Sequence, residues 1–194
     1  MRHLGTQCLH TERLTLRTLS MDDAPAMFNT WANDPAVTKF LRWEPHKDML
    51  ETMMLLGAWE TLSANPDYYQ WGIFLNSTGQ LIGSISICEA EEQQPDVWST
   101  PGLDFSQGVW EPGYCLGKTF WGQGYATEAL LAVRDYWFSQ VEGPWLACCH
   151  AVKNPASGRV MQKAGWHFDH SATYHKFDGT PVECLAYCQQ RPTD

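Results

Sequence analysis

At 194 residues the chain is long enough to bury one substantial core and short for two, so we expect one domain spanning residues 1–194. Hydrophobic residues make up 44% of it, which excludes a disordered chain, and a formal charge of −9 leaves no basic stripe for nucleic acid. The longest uncharged stretch, 68–88, is interrupted by polar residues, so no membrane span is expected. The acidic surface suits cationic partners, and the first residues lack a signal-peptide core, which predicts a cytoplasmic protein.

Hydrophobic periodicity predicts seven strands and four helices in the order βααβββαβαββ, typical of an α+β fold built around one central sheet. The strands are expected at 11–19, 68–75, 81–88, 109–116, 145–152, 166–175 and 183–189. The helices are expected to begin near residues 22, 47, 125 and 154. In the second helix, Leu55, Trp59 and Leu62 fall at i, i+4 and i+7, which predicts one buried face.

Three connecting segments carry their own signals. Residues 1–10 precede the first strand and are interpreted as an N-terminal extension. The turn residues Asn76-Ser77-Thr78-Gly79 predict a hairpin between the second and third strands. Residues 90–107, AEEQQPDVWSTPGLDFSQ, contain two prolines, four acids and little periodicity, which predicts a surface loop inserted between strands near the substrate.

The seven cysteines form no Cys-x-x-Cys pair and mostly lie in apolar runs, which is typical of reduced, buried thiols. Cys148, Cys149 and His150 are consecutive on a predicted strand, so their side chains alternate between faces and cannot grip one metal ion. His167 and His170 face opposite ways for the same reason. The sequence therefore predicts no metal site.

The most distinctive stretch is YCLGKTFWGQGYATEALLAVRDYW, residues 114–137, where a glycine-rich loop runs into a helical pattern. Glycine loses more conformational freedom on ordering than any other residue. The pair Gly122 and Gly124 directly before a helix therefore indicates a backbone that another group must approach closely.

Three phosphate-binding interpretations compete for this loop. The triphosphate loop suggested by Gly117-Lys118-Thr119 needs a glycine where Pro112 stands, and the dinucleotide fingerprint needs one at Thr127. The third interpretation needs only geometry, because free N–H groups at a helix start carry the positive end of its dipole and suit a pyrophosphate. Thr127 would cap that helix or offer its hydroxyl. A plain glycine turn before a core helix explains the spacing equally well.

Four segments together resemble the GNAT superfamily of N-acetyltransferases and, within it, the RimJ/RimL-like branch. They are TERLTLR at 11–17, NDPAVTKFLRWEPH at 33–46, GYCLGKTFWGQGYATEAL at 113–130 and NPASGRVMQKAGW at 154–166. The resemblance covers nearly the whole chain apart from the first ten residues and the 90–107 loop. Trp121 is a departure, since the wider superfamily usually has Arg or Gln at that position.

The resemblance implies a single GNAT-type domain with a mixed seven-stranded central sheet, splayed where acetyl-coenzyme A binds, and four flanking helices. Cys115 and Leu116 would bond the pantetheine arm through their backbone, and Asn154 would reach its amide. The pyrophosphate would be held by the loop residues Trp121, Gly122, Gln123, Gly124, Tyr125, Ala126 and Thr127.

Acetyl transfer needs an uncharged amine and a proton for the departing thiolate, and the resemblance suggests a residue for each. Ser157 is the candidate acid, although it would equally cap its helix. Glu111 is the candidate base, with a pKa raised by burial, unless Pro112 turns its side chain away. Glu128, at a helix start, is interpreted as a helix anchor. A covalent mechanism through Cys115 is disfavoured because no histidine adjoins it in sequence.

Trp43, Glu44 and His46 resemble acceptor-pocket residues, although an aromatic side chain there would equally serve the core. The leading hypothesis is an acetyl-coenzyme A-dependent N-acetyltransferase whose acceptor is a protein N-terminal α-amine, of the ribosomal-protein type. The alternatives are a small cationic amine, such as a polyamine or aminoglycoside, and a non-catalytic acyl-coenzyme A-binding module. Exposed tryptophan surface would favour a homodimer.

Overall fold

Strands and helices follow one another in the order that the hydrophobic pattern predicts, with one short strand added at the start and one short helix added at Pro35–Thr38. The structure, a computed structural model, describes residues 1–90 and 106–192. The strands are β1 (Leu9–His10), β2 (Leu14–Arg17), β3 (Tyr69–Leu75), β4 (Leu81–Glu89), β5 (Trp110–Leu116), β6 (Trp145–Ala151), β7 (His167–His175) and β8 (Pro181–Gln190). The helices are α1 (Ala24–Met27), α2 (Pro35–Thr38), α3 (Met49–Leu62), α4 (Tyr125–Tyr136) and α5 (Pro155–Lys163). α1 and α4 are each continued by a π-helical turn, at Phe28–Ala32 and Trp137–Val141.

The described strands form two antiparallel sheets of five and three strands, which corrects the expectation of one mixed seven-stranded sheet. The larger sheet has the order β1-β2-β3-β4-β5, and the smaller one has the order β6-β8-β7. The α+β class itself is confirmed. β5 and β6 lie at neighbouring sheet edges, but no backbone ladder joins them in the described part of the chain. Side chains join them instead. Cys148 Sγ lies 3.3 Å from the Pro112 carbonyl oxygen, and Glu111 accepts from Cys149 N at 3.3 Å, while Pro112 has no N–H to donate to a ladder.

The larger sheet separates two apolar cores. The adjacent β3 residues Ile73 and Phe74 enter different cores because successive strand residues face opposite sides of the sheet. One core packs α4 against the sheet through Leu130 and Val133, and the other packs the α1–α3 region around Trp31 and its neighbours. The predicted hairpin between β3 and β4 is confirmed, with Gly79 N donating to Leu75 O at 2.8 Å.

The predicted buried face of α3 is only partly right. Leu55 and Trp59 are half-buried against the α1–α3 core, but Leu62 is 41% exposed, and the fully buried residues are Thr52 and Leu56. The helix sequence, MLETMMLLGAWETL, is apolar on nearly every side, so periodicity alone could not decide which side meets the sheet. No helix in residues 1–90 and 106–192 combines the length and apolarity needed to cross a bilayer.

The first ten residues are bound to the core rather than extending away from it. Arg2 N donates to Val141 O at 2.7 Å, and Gly5 O accepts from the Tyr136 hydroxyl at 2.7 Å. Trp71 Nε1 donates to Gln7 O at 2.6 Å. The segment also contains β1, whose two residues are too few to show a period in the sequence.

Two further expectations concern surface features. The predicted loop at 90–107 lies, for residues 91–105, outside the described residues; at its base, Ala90 N donates to Val109 O at 2.7 Å. Of the tryptophans in the described ranges, Trp121 alone is largely exposed, at 47%. The tryptophan surface expected to favour a homodimer is therefore absent from that part of the chain.

A close approach between β4 and β5 predicts the effect of adding one methyl group. Gly83 pairs with Leu116, and a Cβ on Gly83 would overlap the carbonyl oxygen of Cys115 and lie 2.9 Å from the Leu116 Cα. We expect Gly83→Ala to lower the free energy of unfolding by about 1–3 kcal/mol in urea denaturation, because the strands must separate. The control Gly113→Ala, whose Cβ would lie 3.4 Å from Ser86 Oγ, should be neutral or stabilising by up to about 1 kcal/mol. Equal stability of the two variants would contradict the close approach.

Candidate active site

The loop between β5 and α4 adopts a backbone conformation that requires its two glycines. Gly122 and Gly124 have φ angles of 74° and 85°, in the left-handed region where a Cβ is strained. Gly124 is the N-cap of α4. No described atom lies within 4 Å of a Cβ added at Gly122, so the surface of the loop is open there.

The backbone N–H groups of this loop have no partner in the described part of the protein. None of the six from Gly122 to Thr127 makes a hydrogen bond, and the first helical bond runs from Glu128 N to Gly124 O at 3.0 Å. A helix start leaves about four such donors on its own, and the loop adds to them. Successive free donors at the positive end of a helix dipole suit a pyrophosphate.

Side chains in the loop brace its backbone instead of filling its open surface. Trp121 Nε1 donates to Leu116 O at 2.8 Å, and Gln123 Nε2 donates to Thr119 O at 2.9 Å. Tyr125 and Ala126 pack half-buried against the core. No side chain caps α4, so the expected capping role of Thr127 is not found and its hydroxyl remains available.

Arg13, which the sequence did not single out, binds this loop together with Glu128. Glu128 Oε2 accepts from Arg13 Nε at 2.6 Å, and Oε1 accepts from Arg13 N at 2.9 Å and from Thr11 Oγ1 at 2.6 Å. Burial alone would raise the pKa of Glu128, but these hydrogen bonds outweigh it and lower the pKa. Glu128 therefore anchors the start of α4 to the start of β2, as its position predicts.

Glu111 reaches across the gap between the two sheets. Its Oε1 accepts from the backbone N of Cys149 on β6 at 3.3 Å and from the Cys149 thiol at 3.3 Å. Pro112 therefore does not turn this side chain away from β6. Glu111 and Cys115 are four residues apart on β5, so both lie on the strand face opposite to Tyr114.

The environment of Glu111 changes its proton affinity. Burial raises the pKa of this carboxyl from 4.5 to about 7, against the opposing effects of the hydrogen bonds from Cys149 and the charge of Arg42. A carboxyl with this pKa is about half ionised at neutral pH, so it can both accept and release a proton there. The geometry thus agrees with the chemistry expected of a base at this position.

Ser157 forms a hydroxyl pair with Tyr114, a residue whose side chain the sequence did not identify. Ser157 Oγ lies 2.9 Å from the Tyr114 phenol oxygen, which also donates to Ser157 O at 3.1 Å. Burial raises the pKa of Tyr114, so the phenol stays protonated. The signal that could have found Tyr114 is its alternation with Glu111, which directs it to the α5 side of the strand.

Asn154 and Cys115 are the two remaining residues expected to contact the pantetheine arm. Asn154, not Ser157, is the N-cap of α5, and its side chain makes no capping bond, so its amide remains available to a ligand. Cys115 Sγ lies 3.5 Å from Ser84 Oγ, and burial raises the pKa of this thiol. A protonated thiol is a poor nucleophile, which agrees with disfavouring a covalent mechanism through Cys115.

The predicted acceptor segment packs beside the turn between β7 and β8. Phe177 N donates to Arg42 O at 3.0 Å, and Arg42 Nε donates to His175 O at 3.1 Å. Glu44 pairs with Lys176 at 3.4 Å, and the Glu44 side chain is 71% exposed. Glu44 therefore presents a carboxylate at the rim of this region.

His46 and Trp43 tie that segment to the core below it. His46 is buried, its Nδ1 lies 2.7 Å from Thr52 Oγ1, and its N donates to Ala32 O at 2.8 Å. The rings of Trp43 and His46 lie 5.2 Å apart. Burial lowers the pKa of His46, so the imidazole is neutral at pH 7. Both residues position the segment, and acceptor contacts for them stay predictions.

The known proteins that this chain resembles in sequence and in fold include several acetyltransferases. Residues 13–167 match the acetyltransferase (GNAT) domain family. The uncharacterized N-acetyltransferase p20 of Bacillus licheniformis is 30% identical over 135 residues, which are 70% of this chain and 68% of that protein. The uncharacterized N-acetyltransferase YoaA of Bacillus subtilis is 25% identical over 187 residues, 96% of this chain and 98% of that protein. The structure of RimL, a ribosomal L7/L12 α-N-protein acetyltransferase in complex with coenzyme A, superposes with a TM-score of 0.77 at 18% identity, covering 97% of this chain and 100% of that one.

The raised pKa of Glu111 predicts how stability depends on pH. Between pH 4.5 and about 7 the unfolded Glu111 ionises while the folded one stays protonated, so the native protein loses stability as the pH rises. Glu111→Gln removes this loss. We expect the variant to match the native protein near pH 4 and to exceed it by up to about 3 kcal/mol above pH 7, in urea unfolding at a series of pH values. A difference independent of pH would show that Glu111 titrates normally.

Proposed function

The chain belongs to the GNAT family of N-acetyltransferases, which use acetyl-coenzyme A, and from this premise we propose that it acetylates protein N-terminal α-amines by direct transfer. The observation that carries the proposal is the row of six free N–H groups from Gly122 to Thr127, which follows β5, the strand that bears the candidate base Glu111. A single loop thus connects the proposed anion site at the start of α4 to the strand that carries Glu111.

The residues present fit acetyl-coenzyme A without any further group. The free amides from Gly122 to Thr127 would hold the pyrophosphate, and the uncapped Asn154 amide would reach the pantetheine. β5 is an edge strand, and Leu116 O already accepts from Trp121 Nε1. The outward N–H of Leu116, next to Cys115, would therefore bond the pantetheine arm in the gap before β6. We therefore propose that the cofactor binds in this gap between two sheets, and not where one mixed sheet splays apart. When bound, acetyl-coenzyme A supplies the acetyl thioester.

Glu111 would act as the base. An amine attacks only after losing its ammonium proton, and a Glu111 Oε atom, with a pKa of about 7, would take that proton at neutral pH. The hydrogen bonds from Cys149 hold the carboxylate in place across the gap. Because its pKa is about 7, Glu111 would release this proton to solvent between turnovers at neutral pH.

Ser157 would act as the acid, with Tyr114 positioning it. The Ser157 hydroxyl would give its proton to the leaving sulfur, which otherwise departs as a thiolate. Burial raises the pKa of Tyr114, so its phenol keeps its one proton, which can be donated to Ser157 O at 3.1 Å or to Ser157 Oγ at 2.9 Å. When the phenol donates to Ser157 Oγ, the hydrogen of Ser157 is free to point away from Tyr114.

The acceptor side supports a protein better than a small amine. The outer face of α3 exposes Leu50, Met53 and Met54, at 62%, 40% and 68%, which suits contact with a protein rather than a polyamine. Glu44 adds a rim carboxylate for a cationic amine. RimL, similar in fold, is named as acting on an α-amine of ribosomal L7/L12. A homodimer and a cytoplasmic location stay predictions.

An acceptor panel tests the proposal. Purified enzyme with acetyl-coenzyme A is assayed by free-thiol release on ribosomal-protein N-terminal peptides, polyamines and aminoglycosides. We expect kcat/KM to be highest for the peptides, since they offer both an α-amine and side chains for the α3 face. Peptides blocked at the α-amine but keeping a lysine are the control and should not react. Turnover of the small amines alone would favour the small-amine alternative. Coenzyme A binding in calorimetry with no amine acetylated, hydroxylamine included, would favour a non-catalytic binding module.

The Tyr114–Ser157 pair predicts two graded losses of rate. Ser157→Ala should lower kcat about 100-fold, because a positioned acid contributes at least that much. Tyr114→Phe should lower kcat about tenfold with little change in either KM, because one hydrogen bond is lost. The control Tyr136→Phe loses a comparable bond, to Gly5 O, and should keep its kcat.

These losses are measured from initial rates at saturating acetyl-coenzyme A. An S157A enzyme as fast as the native one would remove Ser157 from the acid role. A Y114F enzyme that raises KM without lowering kcat would assign Tyr114 to cofactor binding instead.

A further inference from the structure

Arg13 holds one peptide group of the anion-binding loop in a fixed orientation. Its Nη1 donates to the carbonyl oxygen of Gln123 at 3.0 Å, while its Nε is bound to Glu128 at 2.6 Å. Its guanidinium carbon also lies 4.6 Å from the centre of the Tyr125 ring. One planar side chain therefore joins the start of β2, the loop and the first turn of α4.

The carbonyl contact decides where the next amide points. A trans peptide is planar, and its C=O and N–H groups point in opposite directions. With the Gln123 carbonyl directed at Arg13, the N–H of Gly124 is directed away from Arg13, toward the side without protein partners. Gly124 also has φ 85°, so the orientation lies outside the range preferred by other residues.

We propose that Arg13 is a positioning residue for coenzyme A, which acts by orienting the Gln123–Gly124 peptide rather than by touching phosphate. This inference rests on the proposed use of the loop as the pyrophosphate site. The guanidinium is paired with the Glu128 carboxylate, so the two charges largely cancel at the loop. The effect of Arg13 on the loop is therefore the orientation it gives to the Gln123 carbonyl. That orientation depends on the planar set of N–H donors that arginine has and lysine lacks.

Arg17, the last residue of β2, offers a matched control for Arg13, which directly precedes that strand. It also forms an ion pair, with Asp23 at 2.9 Å, and it also stacks on an aromatic ring, with its guanidinium carbon 3.8 Å from the centre of the Phe74 ring. The Arg17 side chain is 42% exposed and that of Arg13 is 43% exposed. Arg17 makes no contact with the loop among the hydrogen bonds of the described residues.

Calorimetry with coenzyme A on the full chain tests whether Arg13 acts by orienting the peptide or by contacting phosphate. We expect Arg13→Gln to weaken binding about tenfold or more, and Arg17→Gln to leave it unchanged. Arg13→Lys keeps the charge but cannot bridge Glu128 and Gln123 in one plane, so it should bind as weakly as R13Q. Full binding by R13K would overturn the geometric role. Loss of salt dependence in R13Q relative to the native protein would also overturn it, because Arg13 would then contact phosphate directly.

A second measurement needs no cofactor. It separates the orientation of the peptide by Arg13 from the use of the loop as the coenzyme A site. In the free protein, the amide resonance of Gly124 should shift in R13Q and not in R17Q. If native protein fails to bind coenzyme A while this shift occurs, the loop is not the cofactor site, and the cofactor role inferred for Arg13 fails with it. If native protein binds and R13Q binds equally well, the inference alone is wrong.

Discussion

The open outer edge of β5 is the constraint on which the rest of the molecule depends. β5 is hydrogen-bonded to β4 on one side and is the edge strand of its sheet. An unpaired edge invites association unless something covers it. Here β6 and α5 cover it with side chains, through Glu111 to Cys149 and Tyr114 to Ser157, instead of a backbone ladder. The strand thus keeps free backbone groups inside the protein, which a ligand with amides of its own can use.

Alternation along β5 separates two kinds of proton chemistry. Glu111 and Tyr114 are three residues apart, so they face opposite sides of the strand. Burial raises both pKa values, with opposite consequences. The pKa of the carboxyl is raised to about 7, where it exchanges protons at neutral pH, whereas the pKa of the phenol is moved further from neutrality, so the phenol keeps its proton. One strand therefore directs a titratable carboxyl toward β6 and a hydrogen-bonding phenol toward α5.

The glycine loop at the other end of β5 is open but braced. Gly122 and Gly124 supply the left-handed turns, and the bond from Trp121 to Leu116 O holds the start of the loop to the strand. The Arg13–Glu128 pair holds its far end to β2. A loop that leaves its donors free gains no stability from them, so the contacts behind it have to fix its shape. Preorganised donors also bind an anion without a further cost in ordering.

Much of this protein could be predicted from the sequence, because its signals are local. Apolar runs bounded by turn residues located β3 and β4, and the run from Gly122 to Thr127 indicated where α4 begins. The motifs also predicted the GNAT family, which is confirmed. Glu111, the expected base, does face the gap between β5 and β6. β1 was missed because two residues show no period, and the exposed side of α3 was misjudged at Leu62 because that helix is apolar nearly all round.

What only the tertiary structure decided are contacts between residues far apart in the chain. Arg13 meets Glu128 and Gln123 across more than a hundred positions, and Tyr114 meets Ser157 across forty-three. The division into two sheets arises in the same way, at the contact of Pro112 with Cys148. Local periodicity determines which residues form a strand and which side of it is apolar. The partner across a gap, and the pKa that burial there imposes, exist only once distant segments have packed together.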